Sequence, residues 1–176
     1  MKVLGISGSL REGGHNRRLL RAAAGLLPPG ADLVLFDRLG EIPPFNEDEE
    51  HDPPAAVTAL KDAIADADVV LISTPEYNHS IPGVLKNALD WVSRPMAQNP
   101  MRGKWALVIG ASTGMFGAVW AQAETRKVLG ALGARVLDEE LPVAKAPEGV
   151  DDPLILARLA ELLALLVDNE TQLRAA

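Results

Sequence analysis

Asp68-Val69-Val70-Leu71-Ile72-Ser73 is an unbroken run of apolar, mostly β-branched residues between an acid and the Thr74-Pro75 pair. A strand without polar alternation is buried on both faces, as in the middle of a parallel sheet. The pattern repeats on either side of it. Upstream, Val3-Leu4-Gly5-Ile6 predicts a first strand and Asp32 to Phe36 a second. Downstream, Lys104 to Ala111 predicts a fourth and Ala134 to Leu137 a fifth. Helical periodicity fills the intervals. Asn16 to Leu27 places Leu19, Leu20, Ala23 and Leu27 on one face and stops at Pro28-Pro29-Gly30. Further helices are expected over Pro54 to Ala65, around Leu85, Ala88, Leu89 and Val92 with Pro82 in the first turn, over Ala118 to Leu132, and over Pro153 to Leu173. Residues 37 to 53 read as a long connection rich in proline and acid.

Strictly alternating strands and helices give a parallel sheet with helices on both faces. Five strands, with unusual residues in three of the loops that follow them, fit a flavodoxin-like α/β/α architecture of strand order 2-1-3-4-5. A ligand in that fold sits beyond the carboxyl ends of the strands, where the order reverses beside strands 1 and 3. The chain of 176 residues reads as a single domain over 1–176, with no internal repeat.

Composition narrows the function. The chain is 48% apolar and 23% charged, ordinary for a folded soluble protein. Its formal net charge of −7 opposes nucleic acid and anionic membrane as partners. Glu47, Asp48, Glu49, Glu50 and Asp52 read as a solvated acidic loop. There is no cysteine, so thiol redox chemistry and thiolate metal sites are excluded and any redox work needs a bound cofactor. No metal site is expected, since His79 has no second ligand at metal-binding spacing. The apolar run Val3 to Ile6 is too short for a signal peptide, and Arg158, Glu161 and Asp168 interrupt the leucine-rich terminus. The expected location is the cytoplasm.

The three loops carry the chemistry. Gly8-Ser9-Leu10-Arg11-Glu12-Gly13-Gly14-His15-Asn16 joins the first strand to the first helix. Glycines admit a ligand close to the backbone, and a helix start offers free N–H groups and partial positive charge, which suits a phosphate. Ser9, Asn16 and Arg11 can add hydrogen bonds and charge. A plain turn with Asn16 as helix cap fits the same residues, and His15 reads equally as a solvent-facing residue or a ligand contact. The second loop, Thr74-Pro75-Glu76-Tyr77-Asn78-His79-Ser80, contains the single tyrosine of the chain. Tyr77 can wall a flat polar ring, while the backbone N–H groups of Glu76, Tyr77 and Asn78 can line its edge. Glu76 also reads simply as a solvent-facing carboxylate.

With Gly-Ser-Leu-Arg and Asn16 near the start, the stretch Pro-Glu-Tyr-Asn-His-Ser-Ile-Pro-Gly-Val-Leu-Lys-Asn-Ala-Leu-Asp-Trp from Pro75 to Trp91 resembles the NADPH-dependent FMN reductase family, which includes quinone, chromate and azo-dye reductases. The resemblance spans almost the whole chain. It implies the flavodoxin-like fold, FMN as cofactor, NADPH or NADH as electron donor, a small-molecule acceptor, and a homodimer or homotetramer. It implies that Ser9, Arg11 and Asn16, with His15 between them, hold the FMN phosphate. It implies that Pro75, Glu76, Tyr77 and Asn78 line the isoalloxazine ring, that Ser80 opens the matching helix, and that Ser112, Thr113 and Gly114 form a third loop near the flavin. Part of the helix from Gly83 to Arg94, which carries Trp91 and Val92, is then expected against a second subunit.

Two positions depart from the pattern. Many members have serine where this chain has Gly14, which predicts weaker FMN retention. Met115-Phe116-Gly117 replaces a more glycine-rich third loop, so Phe116 either narrows access to the flavin or packs on a partner. Trp105 and Trp120 have no assigned role. No side-chain acid, base or nucleophile is required, because hydride moves from nicotinamide C4 to flavin N5. Three other readings fit the residues: a flavodoxin-type electron carrier, a flavin-free module, and a reductase that hands reduced FMN to a partner monooxygenase.

Overall fold

The computed structural model describes residues 1–175. Parallel strands β1 (Lys2–Ser7), β2 (Asp32–Phe36), β3 (Val69–Thr74) and β4 (Trp105–Ala111) alternate with helices α1 (His15–Leu26), α2 (Ala55–Asp66), α3 (Gly83–Val92) and α4 (Val119–Ala131). Two short strands follow, β5 (Arg135–Val136) and β6 (Pro142–Val143), then one helical turn, α5 (Ala146–Gly149), and the closing helix α6 (Pro153–Ala175). The sheet runs β2-β1-β3-β4-β5, with β6 also paired to β4. All six residues of β3 are buried. Side chains alternate across a strand, so Val69 and Leu71 face one helical layer while Val70 and Ile72 face the other. The first layer is α1 and α6, through Leu19, Leu20, Leu159, Leu163 and Leu166. The second is α2, α3 and α4, through Leu60, Ile64, Leu85, Leu89 and Leu129.

The expected fifth strand is split. Arg135 and Val136 pair with Trp105 and Ala106, while Pro142 and Val143 pair with Gly110 and Ala111 at the far end of β4. Charge separates the two pieces. Glu139 leaves the sheet for Arg158 on α6, and Glu140 leaves it for Arg126 on α4, each at 2.6 Å. Pro82 caps α3 rather than sitting inside its first turn.

Trp91 and Val92 are not available to the second-subunit contact expected of part of this helix. Both are fully buried within their own chain. Trp91 Nε1 donates to Pro43 O at 2.8 Å, and its ring meets Phe45 edge-on at 5.0 Å. Asn87 completes this seam, accepting from Phe45 N–H and donating to Pro43 O, both at 2.8 Å. The long connection after β2 is thereby fastened along α3. Its acidic stretch stays on the surface as a short 3-10 turn, as expected of a solvated loop. Among the described residues no helix is long and apolar enough to cross a membrane.

One consequence of this topology creates the site. The chain leaves β1 toward the α1 layer and leaves β3 toward the α3 layer. Adjacent strands whose connections depart to opposite faces leave a crevice between the two loops. Leu71 lies at the centre of the strand that makes this possible. Leu71→Ala is expected to lower the unfolding free energy by about 2–5 kcal/mol, read from denaturant titration. A loss below about 1 kcal/mol would show that the centre of the core lies elsewhere.

Candidate functional site

A cleft of about 130 Å³ opens at the carboxyl ends of β1, β3 and β4. Ser9, Arg11, His15, Asn16, Pro75, Glu76, Tyr77, Ser112 and Thr113 line it, together with Gly14 and Ala111. Asn78, Ser80 and Gly114 stand outside its wall. Asn78 forms the tip of the second loop, Ser80 turns toward α4, and Gly114 O accepts Lys145 N–H at 3.0 Å. A larger groove of about 370 Å³ lies at the other end of the sheet, between the last turns of α3 and α4. Its Lys86 is paired with Asp90, and none of the three loops reaches it.

The first loop is a compact turn. Gly8 N–H donates to Ser73 O at 2.8 Å, Arg11 N–H to Ser9 Oγ at 3.3 Å, and Gly14 N–H to Arg11 O at 3.0 Å. Gly14 occupies the N-cap of α1 and no side chain caps the helix. Asn16 is therefore not the cap. Its side chain turns inward and is almost wholly buried. Nδ2 donates to Ala111 O, and Oδ1 accepts from Ala111 N–H and Ser73 Oγ, each at 2.9 Å. The amide keeps one N–H for the cleft that it lines.

The second loop is also more occupied than its sequence implies. Tyr77 and Ser80 exchange backbone hydrogen bonds, with Tyr77 N–H donating at 3.2 Å. Tyr77 N–H is thus used within the loop, while among the described residues the N–H groups of Glu76 and Asn78 have no protein acceptor. Glu76 is not a solvent-facing carboxylate. Its Oε2 accepts Trp120 N–H and Ala121 N–H at 3.0 Å each, capping α4 from across the cleft rim. Tyr77 itself is exposed. Phe116 does not wall the cleft; it stands exposed, with its ring 5.0 Å from Trp120.

The chain matches the NADPH-dependent FMN reductase family over residues 1–148. It belongs to that family. It is 46% identical over 153 residues to an NAD(P)H-dependent FMN reductase of Pseudomonas aeruginosa, covering 86% of this chain and 82% of the relative. It is 44% identical over 128 residues to a 2-hydroxy-1,4-benzoquinone reductase of a Burkholderia species, covering 73% and 69%. Among solved structures it resembles FerB of Paracoccus denitrificans, a flavoenzyme NAD(P)H:(acceptor) oxidoreductase, with a TM-score of 0.84, 35% identity and 97% of each chain covered.

The cleft fits the phosphate end of the cofactor that gives this family its name. The N–H groups of the first turn of α1 point into it without a side-chain cap, which favours a bound anion. His15 lines the cleft, and its Nδ1 is buried with no hydrogen-bond partner in the protein. Arg11 is exposed and has no ion-pair partner among the described residues. Gly14 is the position that shapes the turn. A Cβ there would stand 2.9 Å from Arg11 O and 3.3 Å from Ser9 Oγ. A serine would therefore have to push the Arg11 carbonyl aside before its hydroxyl could help, a steric cost set against the contact that the family pattern offers.

Sequence reasoning misses Ala111, whose backbone anchors Asn16, and Glu124, which holds the second loop from α4. No sequence signal connects either residue to the site, because each contact closes over dozens of residues. Two predictions follow from the geometry. Gly14→Ser is expected to weaken FMN binding, with overpacking costing about 1–3 kcal/mol, in an apoprotein titration. Asn16→Ala strands the Ala111 N–H and C=O and the Ser73 hydroxyl, and is expected to cost about 2–4 kcal/mol of stability in flavin-free denaturation. An unchanged midpoint would show that Asn16 does not anchor the loop.

Proposed function

We propose that this chain is a flavin-dependent reductase that holds FMN non-covalently in the cleft and passes hydride from NADPH or NADH to a small acceptor. The observation that carries this reading is the convergence of an uncapped helix start, the unpartnered His15 nitrogen and the free N–H group of Glu76 on one crevice, with the free Asn78 N–H on the loop tip beyond its wall. Ser9, Arg11, His15 and the free Nδ2 hydrogen of Asn16 hold the phosphate. Pro75, Glu76, Tyr77 and Asn78 take the ring, with Ser112, Thr113 and Gly114 closing the near side and Ser80 fixing the end of the loop.

The cleft is smaller than the roughly 300–1,000 Å³ of an enclosing ligand site, so it grips one end of the cofactor and leaves a ring face open at the rim. FMN bound in this way supplies the two-electron carrier between nicotinamide and acceptor. The protein contributes position and electrostatics. N–H donors of Glu76 and Asn78 favour negative charge at the ring edge, and Tyr77 walls one side. Donor and acceptor use the same open face in turn. The names of the relatives support a quinone as acceptor; an azo compound or chromate would use the same face.

We place the enzyme in the cytoplasm, where reduced nicotinamide is available, as a homodimer or homotetramer. Support for assembly is the exposed Tyr77, Met115, Phe116 and Trp120 beside the cleft, an apolar grouping that monomers seldom leave in water.

The test begins with the absorption spectrum of the purified protein. A flavin band that bleaches on anaerobic addition of NADPH or NADH, and returns with a quinone, is the expected result. Initial rates should give parallel lines when donor and quinone are varied together. Protein that is colourless and takes up no FMN would overturn the assignment. FMN that exchanges at every turnover would instead mark a supplier of reduced flavin.

A further inference from the structure

Two carboxylates bind the second loop and α4 to each other in opposite directions. Glu76, in the loop, accepts the N–H groups of Trp120 and Ala121. Glu124, one turn further along α4, accepts Ser80 Oγ at 2.5 Å and Ile81 N–H at 3.2 Å. Between these anchors the chain makes a tight turn from Tyr77 to Ser80. Its central residues, Asn78 and His79, have φ of 54° and 58°. Such a turn favours glycine, and asparagine tolerates it better than histidine does. Ala118, which caps α4, has φ of 63°. Three of the four non-glycine residues with positive φ among those described therefore meet at this junction. Backbone strain of this kind persists where surrounding contacts over-determine it, and it gathers at functional sites. The His79 ring stands edge-on to Trp120 at 4.6 Å, and its Nδ1 lies 3.7 Å from Glu76 Oε1.

We propose, resting on FMN occupancy of the cleft, that Glu124 is a positioning residue of the reductase site: from the surface of α4 it fixes the strained Tyr77–Ser80 turn, so that the N–H groups of Glu76 and Asn78 hold the flavin ring edge in one orientation. Glu124 does not line the cleft. Its carboxylate is exposed, so it adds little to global stability, and its hydrogen bonds act on the loop alone. The Ser80 hydroxyl first, and then Ile81 N–H, hold its carboxyl below the usual carboxylate range. It is therefore ionised at neutral pH, with Lys127 nearby on its own helix and with Glu76 and His79 across the junction. The clasp is strongest above the ordinary carboxylate range and weakens, losing its charge but not its acceptor oxygen, as pH falls through the lowered value.

The experiment compares the wild type with Glu124→Ala, Glu124→Gln and Ser80→Ala. The readouts are Kd for FMN and for riboflavin, flavin midpoint potential, and amide exchange at Tyr77 and Ser80 in apoprotein. Glu124→Ala should weaken FMN and riboflavin alike, by about tenfold for one charge-assisted hydrogen bond. It should also shift the potential and speed exchange in the turn. Glu124→Gln, whose amide oxygen accepts both bonds, should stay within about twofold. Ser80→Ala should act in the same direction, and the double variant with Glu124→Ala should fall short of the sum. Apoprotein melting should stay near that of the wild type.

Equal Kd, potential and exchange in Glu124→Ala and wild type would overturn the proposal and leave the FMN assignment standing. A loss for FMN without one for riboflavin would also overturn it, by locating the effect at the phosphate. Wild-type protein that binds neither flavin would overturn both.

Discussion

Three hydrogen bonds from one buried amide hold the site in register. Asn16 stands at the start of α1, but its side chain reaches past the first loop to the ends of β3 and β4. A primary amide is the group that can accept from a hydroxyl and an N–H while donating to a carbonyl. Aspartate would set oxygen against the Ala111 carbonyl, and an apolar residue would leave three polar groups unsatisfied. The loop after β1 is thus tied to its neighbours before any ligand arrives. The cleft is preformed, and binding need not order it.

The same arrangement would let an acidic protein hold a doubly charged anion. Net charge acts over long distances and is screened within about 8–10 Å at physiological salt. For the phosphate we propose there, short-range terms would decide: backbone N–H groups at the helix start, the Arg11 guanidinium and the unpartnered His15 nitrogen. The concentrated acids at Glu47, Asp48 and Glu49 lie on the connection fastened to α3, away from the cleft wall.

Much of the fold is legible in the sequence, because its signals are local. The unbroken apolar runs of β1, β3 and β4 can be satisfied only by burial on both faces, and the helices declare themselves by spacing. The split at the sheet margin is not legible, since it depends on Glu139 and Glu140 finding arginines on two different helices. The loops show which residue types gather at the cleft, but not what each side chain does there. Asn16 and Glu76 are cases of this kind. Their residue types suit a ligand, yet their hydrogen bonds go to backbone far along the chain. Trp91 shows the converse: its burial depends on Pro43 and Phe45 of a distant connection folding over it, which its own helix does not reveal.

The divided margin of the sheet bears on how copies of the chain can meet. Neither β5 nor β6 offers more than two residues of ladder, and the acids between them turn away to salt bridges. An edge so short and so charged is a poor template for strand addition. Growth of the sheet from one molecule into the next is therefore blocked on this side. A second copy meeting the chain on this side would contact helix and loop surfaces instead.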